Sequence, residues 1–348
     1  MMQILNCSVK FNYSCPFRCP YDTIPIHWVS VPFRGNYSFM EVKTNMGQNP
    51  WDAEWEVTEP LVRLLLNRQF PQLSSLPIHE IGSGWDNTVY RIGEEYVFRF
   101  PRRAFAIPLL QTEAKILPKL ANYITLPYAK PLFFGKESAD YPAPFLGYTY
   151  LSGTFPIGLT DETRMQSAAA LARFLKNLHA FPVEMAQQEG VAVDHRNLTD
   201  LAGRRDKMLD FLARLTLHFT EAEMKEIADY LQGISLDRVK QRHILIHGDL
   251  HFKNMLVDET GKLSGIIDWG DVSIGHPACD LSIAYSFLPP VSREGFFEAY
   301  GSVDEETKVL ARLIAVYIPM LIFMQAIADK DEAVAQEAKS IMKRAISI

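Results

Sequence analysis

Two short stretches carry the residue types that do chemistry. Residues 244–257 read ILIHGDLHFKNMLV, placing Asp249 after His247 and Gly248 and setting Asn254 five positions beyond. Residues 266–271 read IIDWGD, which puts Asp268 at the end of an apolar run. An acid leaving a buried strand, opposite a loop with a second acid and an amide, suits a divalent cation and phosphate. Mg²⁺ takes hard oxygen ligands, usually one or two from carboxylates, with phosphate and water completing the shell. Asp268 and Asn254 offer such oxygens. Asp249 is then free to accept or orient the proton of a substrate hydroxyl.

The elements that must hold these residues follow from periodicity and turn chemistry. Between the two stretches, NMLVDETGKLSGIIDW reads as a β-hairpin turning at DETG, with the Asp and Gly a tight turn wants. Upstream, residues 58–70 read as a helix with Leu61, Leu64, Leu65 and Leu66 on or near one face and Thr58 as its cap. LPIHEIGSG, TVYRIG and EYVFRF are three β-rich runs separated by glycine-containing turns. A helix over 111–120, interrupted by Pro118, precedes two more strands, PLFFG and APFLGYTYL. After Gly153 the pattern is mainly helical. Thr160 caps a helix whose Leu171, Phe174, Leu175 and Leu178 recur at helical spacing. Further helices are expected near 200–217, 221–233, 294–300 and 304–345. The fold class is therefore α+β, an antiparallel sheet with one main helix followed by a mainly helical part that contains the hairpin.

His-x-Asp-x-x-x-x-Asn, then a hairpin, then Asp-x-Gly at the second strand's exit, matches the catalytic signature of the protein-kinase fold. The spelling HGDLHFKN, GIIDWGD and GHPACDLS resembles the aminoglycoside phosphotransferase family, whose relatives include macrolide and choline kinases. The resemblance implies a bilobal kinase-like enzyme, with residues 46–150 as a nucleotide-binding N-lobe and 151–348 as a catalytic, substrate-binding C-lobe. It places a phosphate-covering loop at IGSGWDNTVYRIG, where Gly82, Ser83 and Gly84 would bring backbone N–H groups to the nucleotide. It makes Arg99 the phosphate-binding base, where protein kinases carry Lys, with Arg102 and Arg103 near enough to share the task. It pairs Glu113 with that base. It makes the Thr149 carbonyl and the Leu151 N–H the hinge contacts to a purine, bordered by Tyr148. His247 and Asp280 become structural supports of the catalytic loop, and His251 and His276 are read as surface residues. The implied co-substrate is ATP or GTP and the implied metal is Mg²⁺. The acceptor is an aminoglycoside-like or other small hydroxylated molecule. A sugar or amino-alcohol kinase, or a nucleotide-binding regulatory pseudoenzyme, is the alternative.

Composition bounds these readings. The chain has 348 residues, 48% hydrophobic and 22% charged, enough for a sizeable core. A net charge of −6 argues against a general nucleic-acid or anionic-membrane binder. Residues 151–348 hold 28 acidic and 21 basic side chains against 13 and 14 in residues 1–150, which fits an anion at one end and a cation at the other. The longest apolar run, 313–324, has 12 residues and contains Pro319, so it reads as a buried helix and no membrane partner is expected. No obligate protein partner is evident. No secretory signal and only four cysteines make a cytoplasmic enzyme the expectation. Residues 1–45 read as an appended extension, disordered or translated from a start upstream of Met40 or Met46. They hold Cys7, Cys15 and Cys19, too few ligands for a closed zinc site.

Overall fold

β-Branched and aromatic residues on one face of successive short runs build the first layer. The computed structural model describes residues 53–84, 86–196, 200–234 and 239–347. The expected extension of residues 1–45, with its three cysteines, lies outside them. A first helix α1 (Glu59–Gln69) precedes strands β1 (Ile78–Ser83), β2 (Asn87–Ile92) and β3 (Tyr96–Pro101). Helix α2 (Ala106–Leu120), β4 (Pro131–Gly135) and β5 (Phe145–Thr149) follow. The strands form one antiparallel sheet in the order β1-β2-β3-β5-β4. Phe98 and Phe100 of β3 bury one face against Phe145 and Phe133, with ring centroids 4.8 to 6.3 Å apart. Gly147 of β5 is required there, because a Cβ would lie 2.4 Å from the Phe98 ring. Thr58 stands at the N-cap of α1 without a side-chain hydrogen bond.

Helix α2 starts five residues before the expected Gln111 and runs through Pro118. The proline sits in the last turn, where its missing N–H removes a single bond near the frayed end, so the helix closes without a break. Its inner face carries Leu110, Glu113, Ile116 and Leu117, all buried.

The second layer contains helices α3 (Asp161–Met165), α4 (Ala168–His179), α5 (Val183–Gln188), α6 (Leu201–Arg214) and α7 (Glu221–Gly233). Strands β6 (Ile244–Ile246), β7 (Met255–Val257), β8 (Leu263–Ile266) and β9 (Ser273–Gly275) come next. Helices α8 (Ala278–Leu281), α9 (Ile283–Ser286), α10 (Arg293–Tyr300), α11 (Glu305–Asp329) and α12 (Glu332–Ile346) complete it. Thr160 does cap a helix, but only the short α3, accepting from Thr163 N–H. The chain turns again at Ser167, whose Oγ accepts the Leu263 N–H of β8 at 3.0 Å and is thereby committed to the hairpin. The single helix expected over 304–345 is two, because Lys330 adopts φ 59° and reverses the chain.

Helix α11 contains the buried helix expected over 313–324 and is longer than that run. It spans 25 residues and contains an 18-residue window of mean hydropathy 1.9, long and apolar enough to cross a bilayer. Of that window 61% is buried against the rest of the fold, and Leu310, Ile314, Met320 and Phe323 face the core. Pro319 lies inside the helix and is itself buried.

Candidate active site

The two chemistry-bearing stretches meet at the ends of the small strands. β7 and β8 pair antiparallel, and Ile267 N–H donates to the Asn254 carbonyl at 3.0 Å. Asp268, the next residue, therefore leaves the hairpin beside Asn254. It does so with φ 61°, one of two non-glycine residues at positive φ among those described. A left-handed aspartate carries local strain, and such strain persists where the surrounding structure over-determines it.

Asn254 is 6% exposed, and its Nδ2 donates to the Asp249 carbonyl at 2.7 Å and to Asp249 Oδ2 at 3.0 Å. The amide nitrogen is thus spent on Asp249. The amide oxygen makes no hydrogen bond among the described residues. Burial by itself would raise the Asp249 carboxyl, but His251, with Nε2 at 3.3 Å, and His247 hold it below its usual range. His251 is therefore a neighbour of the acid rather than the surface residue expected.

His247 is fully buried, and burial lowers its pKa, favouring the neutral ring. Nδ1 accepts the Asp249 N–H at 3.3 Å and Nε2 donates to the Ile267 carbonyl at 3.1 Å, a tautomer assigned from its partners. The ring thus ties the loop carrying Asp249 to the strand carrying Asp268. Asp280, also fully buried, accepts the His247 N–H at 2.7 Å and the Gly248 N–H at 3.0 Å. Burial would raise this carboxyl, but the His179 hydrogen bond at 3.1 Å, the nearby His247 ring and the Gly248 N–H lower it. His179 in turn meets the Tyr300 hydroxyl at 2.8 Å. Neither His179 nor Tyr300 was marked by any motif, since they lie 101 and 20 residues from Asp280 on separate helices. His276 also departs from expectation. It is buried, and its two ring nitrogens meet the Ala278 N–H and the Lys240 carbonyl.

Across the cleft, Arg99 of β3 bonds Glu113 of α2 at 3.1 Å and Asp268 Oδ1 at 2.9 Å. Glu113 is 2% exposed, and burial outweighs Arg99 in raising its pKa. Tyr148 packs beside this pair, its buried hydroxyl short of hydrogen-bond geometry. Arg102 and Arg103 do not join them. Arg102 Nη1 donates to the Gly84 carbonyl and Arg103 pairs with Asp86, so both brace the β1–β2 turn. Gly84 spends its N–H on the Asn87 carbonyl at 2.9 Å, closing that turn rather than offering the N–H outward. Ser83 pairs with Thr88 in the same hairpin. At the lobe junction, the Thr149 N–H donates to the Lys130 carbonyl, and the Leu151 N–H enters no backbone hydrogen bond among the described residues.

A cavity of about 200 Å³ opens between Gly84, Asn87, Arg99, Glu113, Asp268 and Asp271. Asp271 stands three residues past Asp268. It faces this cavity, and its enclosed surroundings, followed by the Asp249 charge, push its carboxyl up to about 6. Around Asp249 the charged neighbours are of both signs, Arg196 on one side and Asp271 on the other.

The donor set fits Mg²⁺. Among the described residues no group of three or more His, Cys, Asp or Glu side chains could hold a metal. Mg²⁺ needs fewer, since it commonly takes one or two protein oxygens beside phosphate. Asp268 uses Oδ1 on Arg99 and keeps a second oxygen, and Asn254 keeps its amide oxygen.

A sequence profile described as the phosphotransferase enzyme family matches residues 77–313, well over half of the chain. An uncharacterized protein of Bacillus subtilis, YcbJ, is 27% identical over 208 residues, 54% of this chain and 61% of its own length. Acyl-CoA dehydrogenase family member 11 of Homo sapiens is 21% identical over 262 residues, 70% of this chain and 32% of its own. The chain thus spans about three fifths of one curated relative and about a third of the other. Among solved structures, the GDP and kanamycin complex of APH(2″)-IIIa superposes with a TM-score of 0.59 at 23% identity, covering 82% of this chain and 97% of that one. The macrolide 2′-phosphotransferase MphH of Brachybacterium faecium, an apoenzyme, gives 0.52 at 22% identity, covering 81% and 97%. At these identities the likeness is one of fold, a sheet-bearing lobe and a helical lobe.

Proposed function

The chain belongs to the phosphotransferase enzyme family, and from that premise we propose that it transfers the γ-phosphoryl group of ATP or GTP to a hydroxyl of a small molecule, aminoglycoside-like or other. The observation that carries this reading is the adjacency of two bonded pairs, Asp249 with Asn254 and Arg99 with Asp268, joined where the Ile267 N–H donates to the Asn254 carbonyl, with Arg99 and Asp268 lining the cavity.

Nucleotide lies between the lobes, its purine at the backbone of Thr149 and Leu151 and its phosphates under the Ser83–Gly84 turn. Arg99 reaches phosphate oxygens with the Nη2 that holds Asp268 in this structure, while Nη1 stays on Glu113. Asp249, held ionised by its histidine neighbours, accepts a hydrogen bond from the acceptor hydroxyl and fixes its line of attack. The hydroxyl oxygen forms a bond to the γ-phosphorus as the bond to the β,γ-bridging oxygen breaks. Asp249 takes the released proton, and the nucleoside diphosphate departs with the electron pair. Most of the acceleration is positioning and electrostatics. Asp268 and Asn254 would hold Mg²⁺, which, when bound, supplies neutralising charge at the phosphates. His247 and Asp280 hold the loop so that Asp249 keeps its place.

The test is nucleotide turnover against a panel of aminoglycosides, macrolides and amino alcohols, with Mg²⁺ present and absent. Mg²⁺-dependent stimulation by one class is expected and names the acceptor. Nucleotide binding without turnover across the panel would assign the chain to regulation instead.

A further inference from the structure

Beneath the catalytic loop lies a cation that neither motif contains. Arg196 is 52 residues upstream of Gly248, yet its Nη1 donates to the Gly248 carbonyl at 2.6 Å. The guanidinium is aimed by Asp194, whose Oδ1 accepts from Nε at 2.8 Å and whose Oδ2 accepts from Nη2 at 3.0 Å. The side chain is 17% exposed. Asp194 is itself placed by the sheet. Its N–H donates to the Ile274 carbonyl at 2.9 Å, and the Ile274 N–H returns to the Ala192 carbonyl at 2.8 Å. The buried Cys279 Sγ also lies 3.2 Å from the Gly248 carbonyl.

The bonded carbonyl belongs to the peptide group that carries the Asp249 nitrogen. Its oxygen is held by Arg196, and its N–H is held by His247 Nδ1. The peptide plane leading into Asp249 is thus fixed at both ends, once by a neutral ring and once by a charged fork. We propose that Arg196 is a positioning residue for phosphoryl transfer, setting the plane of the Gly248–Asp249 peptide and so the direction of the Asp249 side chain. A charge-assisted hydrogen bond to a carbonyl is stronger than a neutral one and is directional, which suits that task. The proposal rests on Asp249 being the residue that meets the acceptor hydroxyl.

The experiment compares Arg196→Met, Arg196→Lys, Arg196→Ala and Asp249→Asn with the wild type in the full chain, using the acceptor that the panel identifies. A displacement of about 1 Å in a reacting group costs about 100-fold in rate. Arg196→Met should therefore lose about 100-fold in kcat, with KM for nucleotide and acceptor unchanged within about threefold. Arg196→Lys should recover part of that loss, and added guanidinium should raise the rate of Arg196→Ala. A folded Arg196→Met with kcat within about threefold of wild type overturns the proposal. So does a loss in all three Arg196 variants that follows their melting temperatures and ignores guanidinium. Asp249→Asn separates the two readings. If it stays active, the assignment of the site fails; if it is inactive while Arg196→Met is not, only the role of Arg196 fails.

Discussion

Arg99 Nη2 lies 2.9 Å from Asp268 Oδ1, so one charged hydrogen bond joins a strand of the sheet lobe to the exit of the hairpin in the helical lobe. The same guanidinium holds the buried Glu113 of α2. Two neighbouring elements of the sheet lobe and a distant hairpin thus share one cation. Removing it leaves a carboxylate that is 2% exposed without a partner. Arg99→Met should destabilise the fold by about 3–5 kcal/mol, the usual cost of breaking a buried pair from one side. Chemical denaturation checks this, and Arg99→Met with Glu113→Gln should recover much of the loss. Arg99→Lys, whose single ammonium cannot span both acids, should weaken nucleotide binding about tenfold by calorimetry.

Asp249 and Asp268 should separate in their effects. Asp249→Ala is expected to lower turnover by about 10²–10⁴-fold while nucleotide affinity stays near wild type, as for a residue acting on the acceptor proton. Asp268→Ala should instead abolish the Mg²⁺ dependence of nucleotide binding. Titrations with and without Mg²⁺ distinguish the two, and equal effects on both readouts in both variants would contradict the division of roles.

Gly248→Ala should fail for a steric reason. Gly248 has φ 90°, and a Cβ there would lie 2.2 Å from the Asp271 carbonyl oxygen. The backbone conformation alone costs about 1–3 kcal/mol for a residue with a side chain. Melting of the variant should fall accordingly, with activity lost even in the fraction that remains folded.

Glu223 offers a pH signature. Hydrogen bonds from Lys343, then from the Thr220 N–H and Lys339, lower its carboxyl to about 2. The pairs to Lys343 and Lys339 measure 2.5 and 2.9 Å and tie α7 to α12. An unfolded glutamate titrates near about 4.3. The stabilisation is therefore present above that value and is lost as pH falls toward 2. Glu223→Gln keeps the capping hydrogen bonds with Thr220 and loses the charge. The stability gap between wild type and Glu223→Gln should close between pH 5 and pH 2, and it should shrink in high salt.

The sequence by itself determined the alternation of elements and the short-range chemistry. Asp249, Asn254 and Asp268 sit within 20 residues, on a loop and a hairpin whose turn and apolar runs are local. Their meeting follows from β7–β8 pairing, which adjacent strands almost dictate. Five strands and α2 were legible for the same reason, since side-chain periodicity is a local signal. What escaped were breaks and distant partners. The turn at Ser167 depends on a hydrogen bond to Leu263, 96 residues on, and the left-handed Lys330 has no glycine to announce it. β9, three residues long, exists only because β6 lies beside it.

Only the tertiary structure decided which charges face the site. Arg102 and Arg103 lie only three and four residues from Arg99 in sequence, yet they turn to Gly84 and Asp86. Arg196, His179 and Tyr300 arrive from remote helices and loops to hold the backbone and side chains around Asp249. Motif spacing fixes residues along one chain segment. A hydrogen bond between segments is fixed by packing, which reads the whole fold at once.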